Sequence, residues 1–359
     1  MKKIILIAVS MTLLAAQTLI AQSGLKYVEA NDLTMLGRLF DDIPHPYHRI
    51  DTARFKGFTE KENMLLRFST GLAVAFKTDA ESIHVLTEYG EIGDQPCTTV
   101  ISMRGFDLYI KKDGKWLYAD SKAGINGDIT LAYGMDDSMK ECIVYFPMYS
   151  EILSCKIGVP DGSVLEPLPS PFKYRVGLYG SSFTQGVSTS RSGMVLPNQF
   201  TRHTGIQILS LACSGNCRLQ PYFADVLKAA DVDALLFDTF SNPSADIIED
   251  RLFPFIESVQ EAHPDIPLIF MQTIMRGRAH FNLTVDANEQ AKRETAERLM
   301  REACRKYDNV YFIEPCADDK DFETSVDGTH PDGHGYQLWS KSIEKPVLRI
   351  LRKYKSFRK

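Results

Sequence analysis

From Tyr174 onward the chain alternates short apolar runs with long helical stretches, and few folds accept that rhythm. Residues 174–179, 206–212, 234–240, 267–274 and 309–314 have the length and apolar character of buried strands. Residues 220–230, 245–262 and 285–307 between them carry helical patterning. Strands separated by helices predict a parallel sheet covered on both faces, an α/β architecture. Ligands of such sheets lie beyond the carboxyl ends of the strands, so the residues that follow each strand are the first to examine for chemistry.

Upstream the rhythm differs. Between about Leu25 and Pro160 the strand-like runs are 64–68, 72–76, 82–86, 107–110, 116–119 and 142–146. Turn residues punctuate them at Thr70-Gly71, Gly93-Asp94, Asp113-Gly114 and Gly127-Asp128. Asp113-Gly114 between two such runs is a hairpin signal, because a tight hairpin turn needs residues that tolerate positive φ. Many short strands with no long helical pattern predict an all-β sandwich. Four prolines then fall between Pro160 and Pro171. Proline fixes φ and removes a donor, so this stretch reads as a stiff linker.

At the N-terminus Lys2 and Lys3 lead into an apolar run that closes in small residues near Ala21. That is the pattern of a secretory signal peptide. A membrane anchor is the rival, since the run to Ile20 is nearly long enough to span. The small-residue exit, without a basic stop-transfer cluster, favours cleavage, and no cysteine stands there for a lipid anchor. The resulting partition is a leader over residues 1–21, a sandwich over 22–165 and an α/β unit over 166–359. The expected location is periplasmic or extracellular, with no stable membrane insertion after cleavage. Loss of the two lysines moves the formal charge from −5 to about −7. A mildly acidic chain without a basic run lacks the electrostatic footprint of a nucleic-acid binder. The seven cysteines are odd in number and widely spread, unlike a dense disulfide framework. Cys213 and Cys217 have no partners at metal-ligand spacing. Core thiols are expected for most, with one disulfide left open.

The strand ends carry the chemistry. After the first α/β strand stands Tyr179-Gly180-Ser181-Ser182-Phe183-Thr184-Gln185-Gly186, where small residues at a strand-to-helix turn let a serine hydroxyl project. Taken alone, the same residues read first as an ordinary Ser-rich helix cap. After the second stands Cys213-Ser214-Gly215-Asn216, and after the third Phe240-Ser241-Asn242-Pro243. A glycine N–H and an asparagine amide are the donor types an oxyanion hole uses. After the fifth stands Asp327-Gly328-Thr329-His330, whose spacing lets a carboxylate bond imidazole Nδ1 and leave Nε2 free. Alone, this is also a surface turn with a solvated histidine. The combination, in order and at successive strand ends, favours acyl-transfer chemistry.

These four blocks resemble the SGNH/GDSL hydrolases. Gly180-Ser181-Ser182 with Phe183-Thr184-Gln185-Gly186 is similar to the first block, Gly215 to the second, Asn242 to the third and Asp327-Gly328-Thr329-His330 to the fourth. Gly105-Phe106-Asp107-Leu108-Tyr109 resembles the GxDLY signature of a β-sandwich that precedes some of these enzymes. The resemblance implies a three-layer, flavodoxin-like parallel sheet behind an all-β sandwich. It implies Ser182 as nucleophile, His330 as base and then acid, Asp327 as the residue that orients His330, and an oxyanion hole of Ser182, Gly215 and Asn242. It implies no metal and no organic cofactor. Two departures stand out: Ser181 replaces the usual Asp, and the third block is Phe240-Ser241-Asn242-Pro243 rather than Gly-x-Asn-Asp.

Other residues have plainer explanations. His45 and His48 lack a third ligand nearby, which favours a structural role, and His334 belongs to the first turn of the last helix. Met271, Met275, Arg276 and Arg278 follow the fourth strand and line the expected cleft, or are solvated loop residues. Asp107 and Tyr109 are expected to serve the fold first and a substrate rim second. The function expected is hydrolysis of a glycan or small-molecule ester, with O-acetyl groups on carbohydrate foremost. The alternatives are a short-chain carboxylesterase or lipase without a sugar requirement, and a glycan-binding protein on an inactive scaffold. Oligomeric state is left open.

Overall fold

A computed structural model describes residues 24–124, 127–316 and 321–357, so the expected leader lies outside the described residues. Two antiparallel sheets form the upstream sandwich. One runs β1 (Leu25–Glu29), β9 (Ser150–Pro160), β4 (Ser82–Ile92), β7 (Gly127–Tyr133). The other runs β10 (Leu165–Pro167), β3 (Ala73–Thr78), β8 (Lys140–Tyr145), β5 (Gly105–Lys112), β6 (Lys115–Ala123), with β2 (Thr34–Leu36) also paired to β3. Their facing side chains, among them Val74, Phe76, Val85, Phe106, Leu108, Val144 and Ile157, make a core of the alternating pattern that half-buried strands require. Asp113 and Gly114 join β5 to β6 with φ of 50° and 76°, the left-handed pair expected of a tight hairpin.

Two expectations are corrected. Residues 64–68, read as a strand, lie mostly in helix α1 (Glu60–Arg67). Thr59 and Glu62 form a reciprocal capping box there, and this local start signal outweighs the short apolar run behind it. The proline-rich stretch, read as a stiff linker, is also part of the sandwich. It contributes β10 to the second sheet, and Leu168 and Phe172 are buried against Tyr109 and Tyr145. Apolar side chains between the prolines dock the segment.

The downstream sheet is parallel throughout, in the order β12 (Ile206–Ala212), β11 (Lys173–Gly180), β13 (Ala234–Asp238), β14 (Leu268–Met271), β15 (Val310–Ile313). This is the flavodoxin-like order, in which the strand order reverses direction at the first strand and opens a crevice beside it. Helices α5 (Pro221–Lys228), α6 (Ala245–Ala262) and α7 (Leu283–Lys306) pack on Leu209, Leu235, Phe237 and Phe270. Helices α4 (Leu196–Thr204) and α8 (Gly333–Leu351) pack on Ile208, Leu236 and Ile269. Neighbouring residues of one strand serve opposite faces, as the two-residue strand period dictates. Two short helices, α2 (Val100–Arg104) and α3 (Ser182–Gln185), complete the set among the described residues. No helix among them is long and apolar enough to cross a membrane.

Candidate active site

Ser182 opens α3 immediately beyond the end of β11, at the reversal point of the sheet. The turn is tight because Gly180 has no side chain: a Cβ there would lie 2.0 Å from Thr184 Oγ1. Ser181 caps the helix, accepting from Phe183 N–H at 3.1 Å and donating its own hydroxyl to Asp238 at 2.7 Å. The same Asp238 oxygen accepts from Ser181 N–H at 3.0 Å and Thr184 Oγ1–H at 3.0 Å. Burial pushes the Asp238 carboxyl up to about 6, against the pull of these donors. Ser181, in the position usually held by Asp, thus meets a carboxylate supplied from β13.

His330 Nε2 stands 2.9 Å from Ser182 Oγ, and His330 Nδ1 stands 2.9 Å from Asp327 Oδ2. A carboxylate can only accept, so Nδ1 carries the proton and Nε2 is left to accept from Ser182. Asp327 Oδ1 accepts the backbone N–H groups of Thr329 at 2.9 Å and His330 at 2.7 Å. Burial alone would raise the Asp327 carboxyl, but the His330 and Thr329 donors more than offset it and hold it below the usual range. Burial also depresses the His330 imidazole, with Arg276 and Arg278 adding to the effect against the pull of Asp327. The loop is closed by a bridge between Ser325 and Pro331 and by Val326 N–H donating to His330 O at 2.9 Å. Phe183 meets the imidazole edge-on at 5.4 Å.

The expected oxyanion donors sit on three adjacent loops. Ser182 N–H and Gly215 N–H have no acceptor among the described residues. Gly215 takes φ of 72°, a conformation glycine adopts without strain. Asn242 Oδ1 accepts from Cys217 N–H at 3.2 Å, which fixes the amide and leaves Nδ2 without a partner among the described residues. The Gly215 loop is held by Gln185, whose Oε1 accepts Ser214 N–H at 2.7 Å and Ser214 Oγ–H at 2.9 Å.

The remaining candidates fall into place. His48 pairs with Glu151 at 3.0 Å beside Arg67, a structural arrangement, and His45 stacks on it at 4.7 Å. His334 is in the first turn of α8, its N–H capped by Asp332. Met271 is buried under the sheet, whereas Arg276 and Arg278 flank the His330 loop. Asp107 is buried and accepts from Arg191 at 2.8 Å and from Gly193 N–H at 2.6 Å, and Tyr109 takes a further Arg191 bond at 2.7 Å. Cys142, Cys155, Cys213 and Cys217 are buried free thiols. Sequence reasoning missed Asp238 and Cys97, and it quoted Gln185 without the role of anchoring the Gly215 loop. The Cys97 sulfur, from the sandwich, lies within 4.8 Å of ligand atoms on Asp327 and His330. Asp238 lies within the run read as strand 234–240, and its lone charge in an apolar run was the signal; Gln185 and Cys97 are placed by packing alone. A cavity of about 390 Å³ adjoins the His330 loop, lined by Thr329 and Pro331 with Ile274, Met275 and Phe322.

Residues 173–349 match the GDSL-like lipase/acylhydrolase family, and residues 25–165 match the N-terminal region of SGNH-hydrolase-type esterases. A Bacteroides ovatus protein assigned as a GDSL-like lipase is 32% identical, covers 92% of this chain and 98% of its own, and superposes with a TM-score of 0.87. The salicylyl-acyltransferase SsfX3 of a tetracycline biosynthetic pathway shares the fold at 18% identity and TM-score 0.66, over 92% of this chain and 99% of that one. A family two carbohydrate esterase from Clostridium thermocellum shares it at 15% identity and TM-score 0.58, over 79% of this chain and 93% of its own. Among curated proteins none matches. With both halves of the chain matched and a full-length relative sharing a third of its residues, the protein belongs to the GDSL-like lipase/acylhydrolase family of SGNH-type esterases.

Proposed function

We propose that this protein is an exported serine esterase that removes O-acetyl groups from carbohydrate. The observation that carries the esterase reading is the unbroken chain Ser182 Oγ–His330–Asp327, with both links at 2.9 Å. In the proposed reaction Ser182 Oγ attacks the ester carbonyl while His330 Nε2 takes its proton. The oxyanion is met by Ser182 N–H, Gly215 N–H and the Asn242 amide. His330 then gives the proton to the departing sugar oxygen, and the acyl group stays on Ser182. Water, deprotonated by His330, attacks the acyl-enzyme; the Ser182 Oγ–acyl bond breaks, His330 returns the proton to Ser182 Oγ, and acetate is released. Asp327 keeps the imidazole in the tautomer this requires.

The carbohydrate reading is supported by Asn216 and Arg278, polar residues after the strands that keep surface open to solvent, and by fold-level likeness to carbohydrate esterases. Export rests on the N-terminal pattern of residues 1–21. One observation favours a second reading, a carboxylesterase for longer acyl chains: Phe281 and Leu283, on the turn after Arg278, are 93% and 82% exposed. Acetate release from a panel of acetylated polysaccharides, beside p-nitrophenyl acetate through octanoate, separates them. The proposal expects kcat/KM to be highest on an acetylated oligosaccharide and to fall as the acyl chain lengthens. Rising activity toward octanoate with no glycan hydrolysed would overturn the carbohydrate reading. Ser182→Ala is expected to abolish hydrolysis on every substrate and leave the unfolding transition in place. Full activity in that variant would remove the esterase mechanism.

A further inference from the structure

The third block departs from Gly-x-Asn-Asp, yet its loop is among the most firmly held parts of the site. The carbonyl oxygen of Ser241 accepts from two cations at once, Arg276 Nη2 at 2.8 Å and Lys292 Nζ at 3.1 Å. Both cations share a single carboxylate oxygen, Glu289 Oε1, at 3.3 Å from Arg276 and 2.5 Å from Lys292. Arg276 comes from the loop after β14, while Glu289 and Lys292 are one turn apart on α7. The Glu289 and Lys292 side chains are only 3% and 7% exposed. Two cations against one carboxylate leave the cluster with a net positive charge in a place water barely reaches.

Burying charge is costly unless it is fully paired and hydrogen-bonded, and here one carboxylate serves two cations. The carbonyl these cations grip is half of the Ser241–Asn242 peptide. Holding it fixes the backbone of Asn242 from one side, while Cys217 N–H fixes its side-chain amide from the other. A positive cluster directly behind an amide donor also raises the potential where negative charge develops in acyl transfer. Nothing in the usual four blocks of the family specifies these three residues.

We propose that Arg276, Lys292 and Glu289 are positioning residues for the oxyanion hole, locking the Ser241–Asn242 peptide and biasing its field toward a developing oxyanion. The inference rests on the esterase reading above. A group that acts only on transition-state charge lowers kcat when lost and leaves KM nearly unchanged. Lys292→Met keeps the length and apolar stem of the side chain but deletes the charge. With p-nitrophenyl acetate it is expected to lower kcat about 10- to 100-fold, with KM within about twofold of the parent. Lys292→Arg, which keeps the charge, is expected to restore most of that loss. Thermal unfolding of each variant reports whether the fold is intact. Should Lys292→Met fail to fold, Arg276→Gln carries the same test, because Arg276 is the more exposed donor of the pair. An unchanged kcat in a folded variant overturns the inference, as does a loss confined to KM. Ser182→Ala, run in parallel, keeps the two questions apart. If it is dead while Lys292→Met is fully active, only the positioning role falls; if it is active, the esterase reading falls first.

Discussion

A serine hydroxyl at neutral pH is a poor nucleophile, and one hydrogen bond to a neutral imidazole changes that. In the proposed mechanism His330 must therefore be deprotonated to act, and its surroundings favour that state. Burial opposes the imidazolium, Arg276 and Arg278 repel it, and Asp327 only partly compensates. The direction is below the ordinary value of 6.5. Because the base form is active, a lowered pKa carries activity to lower pH. The acid limb of kcat/KM is expected to have its midpoint below 6.5, and to move upward in Arg278→Gln, where one repelling charge is gone. A midpoint above 6.5 in a pH–rate profile would contradict this. Asn242 supplies a second test at this scale. Asn242→Ala is expected to lower kcat by about 100-fold with little change in KM, since a single oxyanion donor is typically worth about 3 kcal/mol. Steady-state kinetics decide it; a loss seen only in KM would assign Asn242 to substrate binding.

At the scale of elements, the site is built by short segments whose geometry is set locally and whose mutual placement is not. The turn into α3 follows from Gly180 and the Ser181 cap. What joins α3 to the loop after β12 is Gln185, fully buried and accepting both polar hydrogens of Ser214. Gln185→Leu keeps the volume and strands a buried N–H, an omission that costs about 1–3 kcal/mol. The expected result is a lower unfolding midpoint in urea together with a lower kcat, because the Gly215 loop loses its anchor. Unchanged stability would mean that the loop finds another acceptor. Helix α1 shows the opposite situation, a segment decided by its own first turn. The capping box of Thr59 and Glu62 starts it, a signal passed over in favour of the short apolar run behind it, which pointed to a strand.

For the molecule as a whole, the sandwich works as a brace for the catalytic loops. Tyr149 O–H donates to Ser214 Oγ at 2.6 Å, Thr98 Oγ1 accepts Ser188 N–H at 2.9 Å, and Thr99 Oγ1–H donates to Ser190 O at 2.6 Å. Arg49, fully buried, gives hydrogen bonds to Phe68 O at 3.0 Å and to Ala212 O at 2.5 Å, linking α1 to the end of β12. One apolar core runs from Phe68, Met148 and Tyr149 into Tyr179, Leu211 and Phe223 without a break. Asp107 of the GxDLY signature, paired with Arg191 of the downstream half, lies at this junction, with the Arg191 guanidinium also stacked 3.9 Å over Tyr118. Arg191→Met leaves the Asp107 carboxylate buried with little to balance it, which typically costs about 3–5 kcal/mol. The variant is expected to lose about that much stability in denaturant unfolding. The double variant Asp107→Asn, Arg191→Met should recover part of the loss, since the stranded charge is gone. A near-wild-type single variant would show that the pair does not hold the junction.

The sequence by itself determined the architecture and pointed to the candidate chemistry-bearing positions. The parallel sheet followed from alternation of strand and helix, because buried strands must be apolar on both faces and their helices on one. Ser182, Gly215, Asn242, Asp327 and His330 stood out because each follows a predicted strand or closes the last loop, and sheets of this order gather ligands there. The Asp113-Gly114 hairpin was legible for the same kind of reason: the turn demands positive φ, and few residues supply it. Tertiary structure alone decided what supports these residues. Asp238 meets Ser181 across 57 positions of chain, Gln185 meets Ser214 across 29, and Arg276 and Lys292 converge on Ser241 from separate elements. No local periodicity encodes such meetings, because they are set by strand order and helix packing. The proline-rich stretch misled for a related reason. Its backbone stiffness is a local property, but whether Leu168 and Phe172 find a surface to bury against depends on two sheets assembled elsewhere.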